Sequence, residues 1–386
     1  MAVRVNVAPT MLRWARRRAG QSTHSLSGKF PKLPDWETGR AVPTMRQLEE
    51  YARATHAPLG FFFLSEPPTE ELPVHDFRTF DSQAVHTPTP DLLDTIYLSE
   101  QRQEWYRHFA IRNGEPRVAI VGSLSVRNRI TEAAAYLRDA LHFDLSSRTG
   151  YSNWNKALSG LVANAEDVGI LVMISGIVGS NTHRKLDPRE FRGFSLVDRV
   201  APVIFINGVD TKAAQIFTLA HEIAHVSLGE SALSKPDLSQ TNVTDRTERW
   251  CNSVAAELLV PLESIRDEYE PRNRLTEELN RLARYYKVST LVILRRIFDA
   301  DLISHDNFET SFSAELRRVM ALLAKKKSTD GGDYYNTQPV RLSKRFARAL
   351  ISDTLEGGTL YGEAFRLLGS KKLSVFEELG QRLGVA

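Results

Sequence analysis

Apolar residues recur at helical spacing along most of this chain and fuse into β-branched runs only near its middle. Residues 10–63 read as helices with short breaks. A first helix covers residues 11–18 and ends at Gly20. Thr44 caps another, in which Leu48, Tyr51 and Ala52 share a face, and residues 59–64 close the unit. Pro67, Pro68 and Pro73 mark a linker. Residues 91–112, with Trp105 and Tyr106, and residues 125–142 predict long amphipathic helices. The apolar runs at 168–174, 191–197 and 201–207 predict strands. Asp210 or Thr211 then caps a helix, residues 248–259 form another that stops at Pro261, and residues 275–300 continue helical. Residues 286–289 have the form of a helix-turn-helix corner, residues 330–333 predict a flexible break, and a small helical region begins near 340. The predicted class is α+β and predominantly helical. Its expected parts are a small helical domain at 1–70, a domain with a small sheet at 71–310 whose helical lead-in runs to about 150, and a helical accessory region at 311–386.

The helix after the third strand departs from simple amphipathicity. Phe217, Leu219, Ala220, Ile223, Ala224, Val226 and Leu228 surround His221, Glu222 and His225, so the helix is apolar nearly all round and should be buried. Buried polar groups need partners. Positions i and i+4 share a helix face, so His221 and His225 can aim ring nitrogens at one cation. Glu222, on an adjoining face, can reach water on that cation. This H-E-x-x-H spacing has a mechanical reading, zinc plus a general base for peptide hydrolysis. The bland alternative is a pair of histidines satisfied by hydrogen bonds in the core.

A catalytic zinc takes three protein ligands. The predicted helix at 248–259 offers Glu248 and Glu257. Nine residues at about 100° each put them on opposite faces, so only one can face the metal. Cys251, Asn252 and Ala255 flank Glu248 and allow close approach, whereas Trp250 and Val254 share the side of Glu257 and read as core.

These residues resemble the bacterial ImmA/IrrE metallopeptidases. The likeness lies in His221-Glu-Ile-Ala-His225, in the strand-like run at 201–207, and in Glu248 followed by Cys251, Asn252, Ala255, Ala256, Leu258, Leu259 and Pro261. It implies a zincin-like fold with zinc held by His221, His225 and Glu248, and Glu222 as the catalytic base. Cys251 stands where the family more usually has alanine. The resemblance further implies cleavage of a repressor- or antitoxin-like regulatory protein that switches on stress, mobile-element or defence genes. The competing class is a zinc-containing regulator that no longer cuts, and the intact Glu222 weighs against it. A donor for the reaction's oxyanion is not singled out; His183, Tyr151, Arg184 and Arg192 are the candidates.

Many members of that family carry an N-terminal Xre-type helix-turn-helix. Trp36, Glu37, Gly39, Pro43, Thr44, Gln47 and Leu48 resemble the end of one. Between the first helix and Trp36, however, only residues 21–35 are available, and Gly28, Pro31 and Pro34 interrupt them. A recognition helix there should be short or missing. Arg13, Arg16, Arg17, Arg18 and Arg40 can contact DNA phosphates, or they line a solvated or protein-docking face.

Composition adds bounds. The net charge of +3, from 50 basic and 47 acidic residues, does not itself argue for nucleic acid. One cysteine excludes an intrachain disulfide and fits a cytoplasmic setting. No long apolar run predicts a membrane span, and the N-terminal residues lack a leader's apolar centre. A protease in that setting needs tight substrate choice.

Overall fold

The structure is a computed structural model that describes residues 3–70, 75–76, 88–234, 245–325 and 334–385. It divides into two compact units, residues 1–73 with 80–96 and residues 74–79 with 97–386. Pro73 and the expected break at 330–333 lie outside the described residues.

The first unit holds α1 (Pro9–Arg18), α2 (Thr23–Ser27), α3 (Leu33–Thr38) and α4 (Met45–Thr55), then a 3-10 turn at Leu59–Phe63. Met11, Leu12, Leu33, Trp36, Leu48, Tyr51 and Phe62 form its core. The Tyr51 hydroxyl donates to the Leu12 carbonyl at 2.8 Å. Thr44 caps α4 through a reciprocal box with Gln47, as its sequence expects. The stretch from 21 to 35 holds only α2, of five residues, and the start of α3. Pro34 sits in the first turn of α3, where its missing N–H costs nothing.

The second unit is built on a sheet. Its elements run β1 (His75–Asp76), α5 (Pro90–Arg112, from Tyr97 onward), α6 (Ile130–Ala140), α7 (Leu145–Thr149), α8 (Trp154–Asp167), β2 (Leu171–Ser175), β3 (Gly193–Leu196), β4 (Val203–Asn207), α9 (Lys212–Leu228) and β5 (Ala232–Ser234). The order across the sheet is β1-β5-β3-β4-β2. β2 runs parallel to β4, and β3 is antiparallel to both β4 and β5. The helices α10 (Arg246–Leu259), α11 (Leu262–Glu268), α12 (Leu275–Tyr286), α13 (Thr290–Asp299), α14 (His305–Lys325), α15 (Tyr334–Leu342), α16 (Lys344–Leu355), α17 (Tyr361–Leu368) and α18 (Leu373–Leu383) follow. The predominantly helical α+β class is what the patterning predicts.

Two details differ from what the patterning predicts. The helix expected over 125–142 is α6 alone, because Ser125–Asn128 close a turn through the Asn128 side chain. β1 and β5 were not foreseen, since two- and three-residue strands carry no readable alternation. α14 runs through position 310, and its Phe308 and Phe312 belong to the large core.

Candidate metal centre

α9 is the axis of the site. Thr211, not Asp210, is its cap, accepting from the Ala214 N–H at 3.2 Å. Gly229 ends it in the left-handed region at φ 78°. Every residue from Gln215 to Ser227 is buried, including His221, Glu222 and His225. The helix is covered by the sheet on one side and by α8 and α10 on others. α10 packs in turn on α6. This all-round burial follows from the all-round apolar sequence.

α10 brings the third group. Its cap, Asp245, accepts from the Glu248 N–H at 3.0 Å and fixes the backbone of that residue in the first turn. Glu248 Oε1 lies 2.8 Å from His225 Nε2, and Oε2 lies 3.4 Å from His221 Nε2. The two Nε2 atoms are 3.1 Å apart. Ligand atoms about 2.0–2.2 Å from one tetrahedral ion would stand about 3.3 Å from each other, close to these spacings. His221, His225 and Glu248 can therefore hold a metal ion, and they are a buried trio with ligand atoms within 4.8 Å of one another. The donor set of two imidazoles and one carboxylate suits zinc and leaves a coordination position over.

Glu222 lies against this trio on the sheet side and is fully buried; among the described residues neither carboxylate oxygen has a direct hydrogen bond, with the Ser195 and Ser234 hydroxyls its nearest polar neighbours on the sheet. Burial pushes its carboxyl up to about 8, partly opposed by His221, while the hydroxyls of Ser234 and Ser195 pull the same way as His221. Burial acts on Glu248 too, but the two imidazoles outweigh it and hold that carboxyl at about 2. His221 is raised because the Glu248 and Glu222 charges overcome burial; His225 is lowered, chiefly by burial. Two carboxylates of one buried cluster are thus driven in opposite directions, one toward holding a charge and one toward holding a proton.

The sheet shapes the pocket for Glu222. Gly193 on β3 faces it, and a Cβ there would come within 2.7 Å of Thr218 Cγ2 and 3.2 Å of Glu222 Oε1. Ser195 and Ser234, on the paired strands β3 and β5, are fully buried. Sequence reading missed Gly193, Ser195 and Ser234. Their only signal was membership of an apolar strand run, and β5 has no such run.

Glu257 is turned away from the imidazoles. It pairs with Arg296 of α13 and accepts from the Leu262 N–H at 3.2 Å, which starts α11. Cys251 is fully buried, and burial raises its thiol well above the usual range, followed by the charges of Glu248 and Glu222. Of the oxyanion candidates, His183 is exposed on a loop and Tyr151 packs over Gly160 of α8. Arg184 sits in the same loop as His183. Arg192 precedes β3, with its guanidinium 3.5 Å from Asp210.

The arginines proposed for nucleic acid are divided. Arg16 makes a two-point ion pair with Glu37 at 2.6 and 3.0 Å. Arg18 is held by Glu70 at 2.7 Å and by the His56 carbonyl at 2.9 Å. Arg40 pairs with Asp35 at 3.1 Å on the surface, and Arg13 and Arg17 are exposed.

Among the described residues no helix is long and apolar enough to cross a membrane. No curated protein matches the chain. A family model for a domain of unknown function matches residues 342–382, which hold α16, α17 and most of α18. A second family model, of the M78 peptidases and described as the IrrE N-terminal-like domain, matches residues 165–298. That span runs from the end of α8 nearly to the end of α13 and includes His221, Glu222, His225 and Glu248, so the peptidase likeness and the metal-holding trio fall on the same part of the chain.

Proposed function

We propose that the protein is a zinc-dependent endopeptidase acting on a specific regulatory protein, of repressor or antitoxin type, and so switching on stress, mobile-element or defence genes. One observation carries the peptidase reading: a buried carboxylate with no direct hydrogen bond among the described residues, Glu222, stands beside a His221–His225–Glu248 trio spaced for a single ion. A site kept for structure alone has no use for such a carboxylate, and leaving it unpaired is costly.

Zinc, when bound, supplies Lewis acidity toward water and the scissile carbonyl. Glu222 takes the proton from the attacking water and returns it to the leaving amine. Its raised affinity for a proton suits both halves of that exchange, since a carboxyl near neutrality gives and takes with little driving-force penalty. Glu248, held charged, compensates the ion's charge. The β3 edge of the pocket keeps Glu222 in place through the missing side chain of Gly193. The regulatory target comes from the family likeness and belongs to the proposal by analogy; the cytoplasmic setting rests on the single cysteine of the sequence.

The test is incubation of the purified full chain with the products of neighbouring genes, with and without a chelator. A metal-dependent cut, absent in Glu222→Gln, is the expected result. Zinc-loaded protein that leaves every such product intact would favour a non-cleaving, metal-containing regulator instead.

A further inference from the structure

Asn252 has no task in a scheme of metal ligands and general base, yet it lies inside the centre. It follows Glu248 by one turn of α10, on the face that packs against α9. It is 1% exposed, and among the described residues neither its amide oxygen nor its amide nitrogen has a direct hydrogen bond. Val254, Ala255 and Ala256 beside it are apolar and buried. A carboxamide among them is costly unless something bonds it.

The His221 ring has the complementary need. Its Nε2 stands 3.1 Å from His225 Nε2 and 3.4 Å from a Glu248 oxygen, on the side where an ion would sit. Its Nδ1 is buried with no direct hydrogen bond among the described residues. An imidazole that gives the Nε2 lone pair to a metal carries its proton on Nδ1, and that N–H needs an acceptor. Glu248, Glu222 and Asn252 are side chains that act on this ring. Glu248 is engaged on the Nε2 side. Glu222 follows His221 directly, and successive residues of a helix do not face each other. Asn252 remains. Across the two helices, Asp245 acts on His225 and Asn252 on His221, the order that helices running in opposite directions produce.

We propose that Asn252 is a positioning residue of the metal centre: its amide oxygen accepts the Nδ1–H of His221, which fixes the tautomer of the ring and turns Nε2 toward the ion. Of the two amide orientations, this selects oxygen toward the ring. The inference rests on His221, His225 and Glu248 holding a metal, and it is independent of whether the protein cuts anything.

The test compares the full-length wild type with Asn252→Leu and Asn252→Asp. Leucine keeps the volume and loses the acceptor, whereas aspartate keeps an acceptor. Zinc affinity is read by competition with a chelator. The ring proton is read by proton NMR of the cobalt-substituted protein, in which the N–H of each metal-bound imidazole gives a strongly shifted, solvent-exchangeable signal. Asn252→Leu should weaken zinc binding by about 10–100-fold and lose the His221 signal to fast exchange, with an unchanged circular dichroism spectrum. Asn252→Asp should hold zinc within about a few-fold of wild type and shift that signal, because a carboxylate is the stronger acceptor. A wild type that binds no zinc overturns the proposal together with the metal-centre reading. A zinc-binding wild type that Asn252→Leu matches in affinity and signal overturns the positioning role alone. Should Asn252→Leu fail to fold, Asn252→Asp decides: an unmoved His221 signal overturns the hydrogen bond. Failure to cleave any partner touches the peptidase reading and not this one.

Discussion

The candidate metal centre and the arginine cluster of α1 are both groups of charged or ionisable side chains, and the structure treats them differently. In the first, polar atoms converge on one another: the Glu222 oxygens have no direct hydrogen bond among the described residues, and the two imidazoles face each other across 3.1 Å, with Glu248 against both. In the second, Arg16 and Arg18 are consumed by Glu37 and Glu70 within their own unit. A buried group left wanting a partner points to a missing ligand, whereas one already paired points to the fold. The same test separates the two glutamates of α10, for Glu248 meets imidazoles and Glu257 meets Arg296.

The sharpest way to break this contrast is to remove the unsatisfied groups. Glu222→Gln keeps shape and loses the base. We expect zinc content and fold to survive and cleavage of the target to fall by about 1,000-fold or more, toward the upper end of the usual contribution of a general base because no neighbour can replace it. Cleavage within a few-fold of wild type would remove Glu222 from the reaction. His221→Ala should lose zinc outright by metal analysis.

Next in size is the comparison along α10. Glu248→Ala should weaken zinc retention against a chelator by more than the ~10–100-fold typical of residues that merely support a ligand. Glu257→Ala should leave zinc retention near wild type but lower the melting temperature, because Arg296, whose side chain is only 4% exposed, loses one of its two carboxylate partners and keeps only Asp299 and the Val260 carbonyl. The reverse ranking would mean that α10 docks through its other face.

A pH experiment sharpens the reading of Glu222. In metal-free protein its carboxyl is raised from 4.5 to about 8, so the folded chain holds a proton that the unfolded chain releases. Its contribution to stability is thus complete below about 4.5 and is lost as pH rises toward 8. Metal-free Glu222→Gln should therefore be more stable than metal-free wild type above pH 8, by on the order of a few kcal/mol, and show a flatter profile between those limits. Equal slopes for the two proteins in urea titrations would show that Glu222 is solvated or paired in the metal-free state.

How much of this was legible beforehand follows from the range of each interaction. The metal helix was readable because its chemistry lies within five residues of one another and its burial is written in an apolar surround. Glu248 was readable because helical geometry turns sequence distance into a face. The cradle of Gly193, Ser195 and Ser234 was not, since strand register is set by pairing across the sheet and β5 is too short to announce itself. The pairings of Arg16 with Glu37 and Arg18 with Glu70 were also hidden. Both join residues far apart in sequence, and an arginine looks the same in sequence whether it is paired or free.

The smallest effect concerns nucleic acid, and it turns on that distinction. Arg16→Ala should destabilise the first unit, because Glu37 is only 7% exposed and loses its partner, so a loss of DNA binding in that variant would say nothing about contact. Arg13 and Arg17 are the informative pair, exposed on α1 and free to change without cost to the fold. With a net charge of only +3 and no helix longer than six residues between 21 and 38, any binding should be weak, steep in salt and indifferent to sequence. Replacing both arginines with serine should lower the slope of log affinity against log salt by about 2. Titrations against the protein's own promoter and a scrambled duplex at two salt concentrations decide the matter. A promoter preference that persists at the higher salt would mean that α2 and α3, short as they are, still read bases.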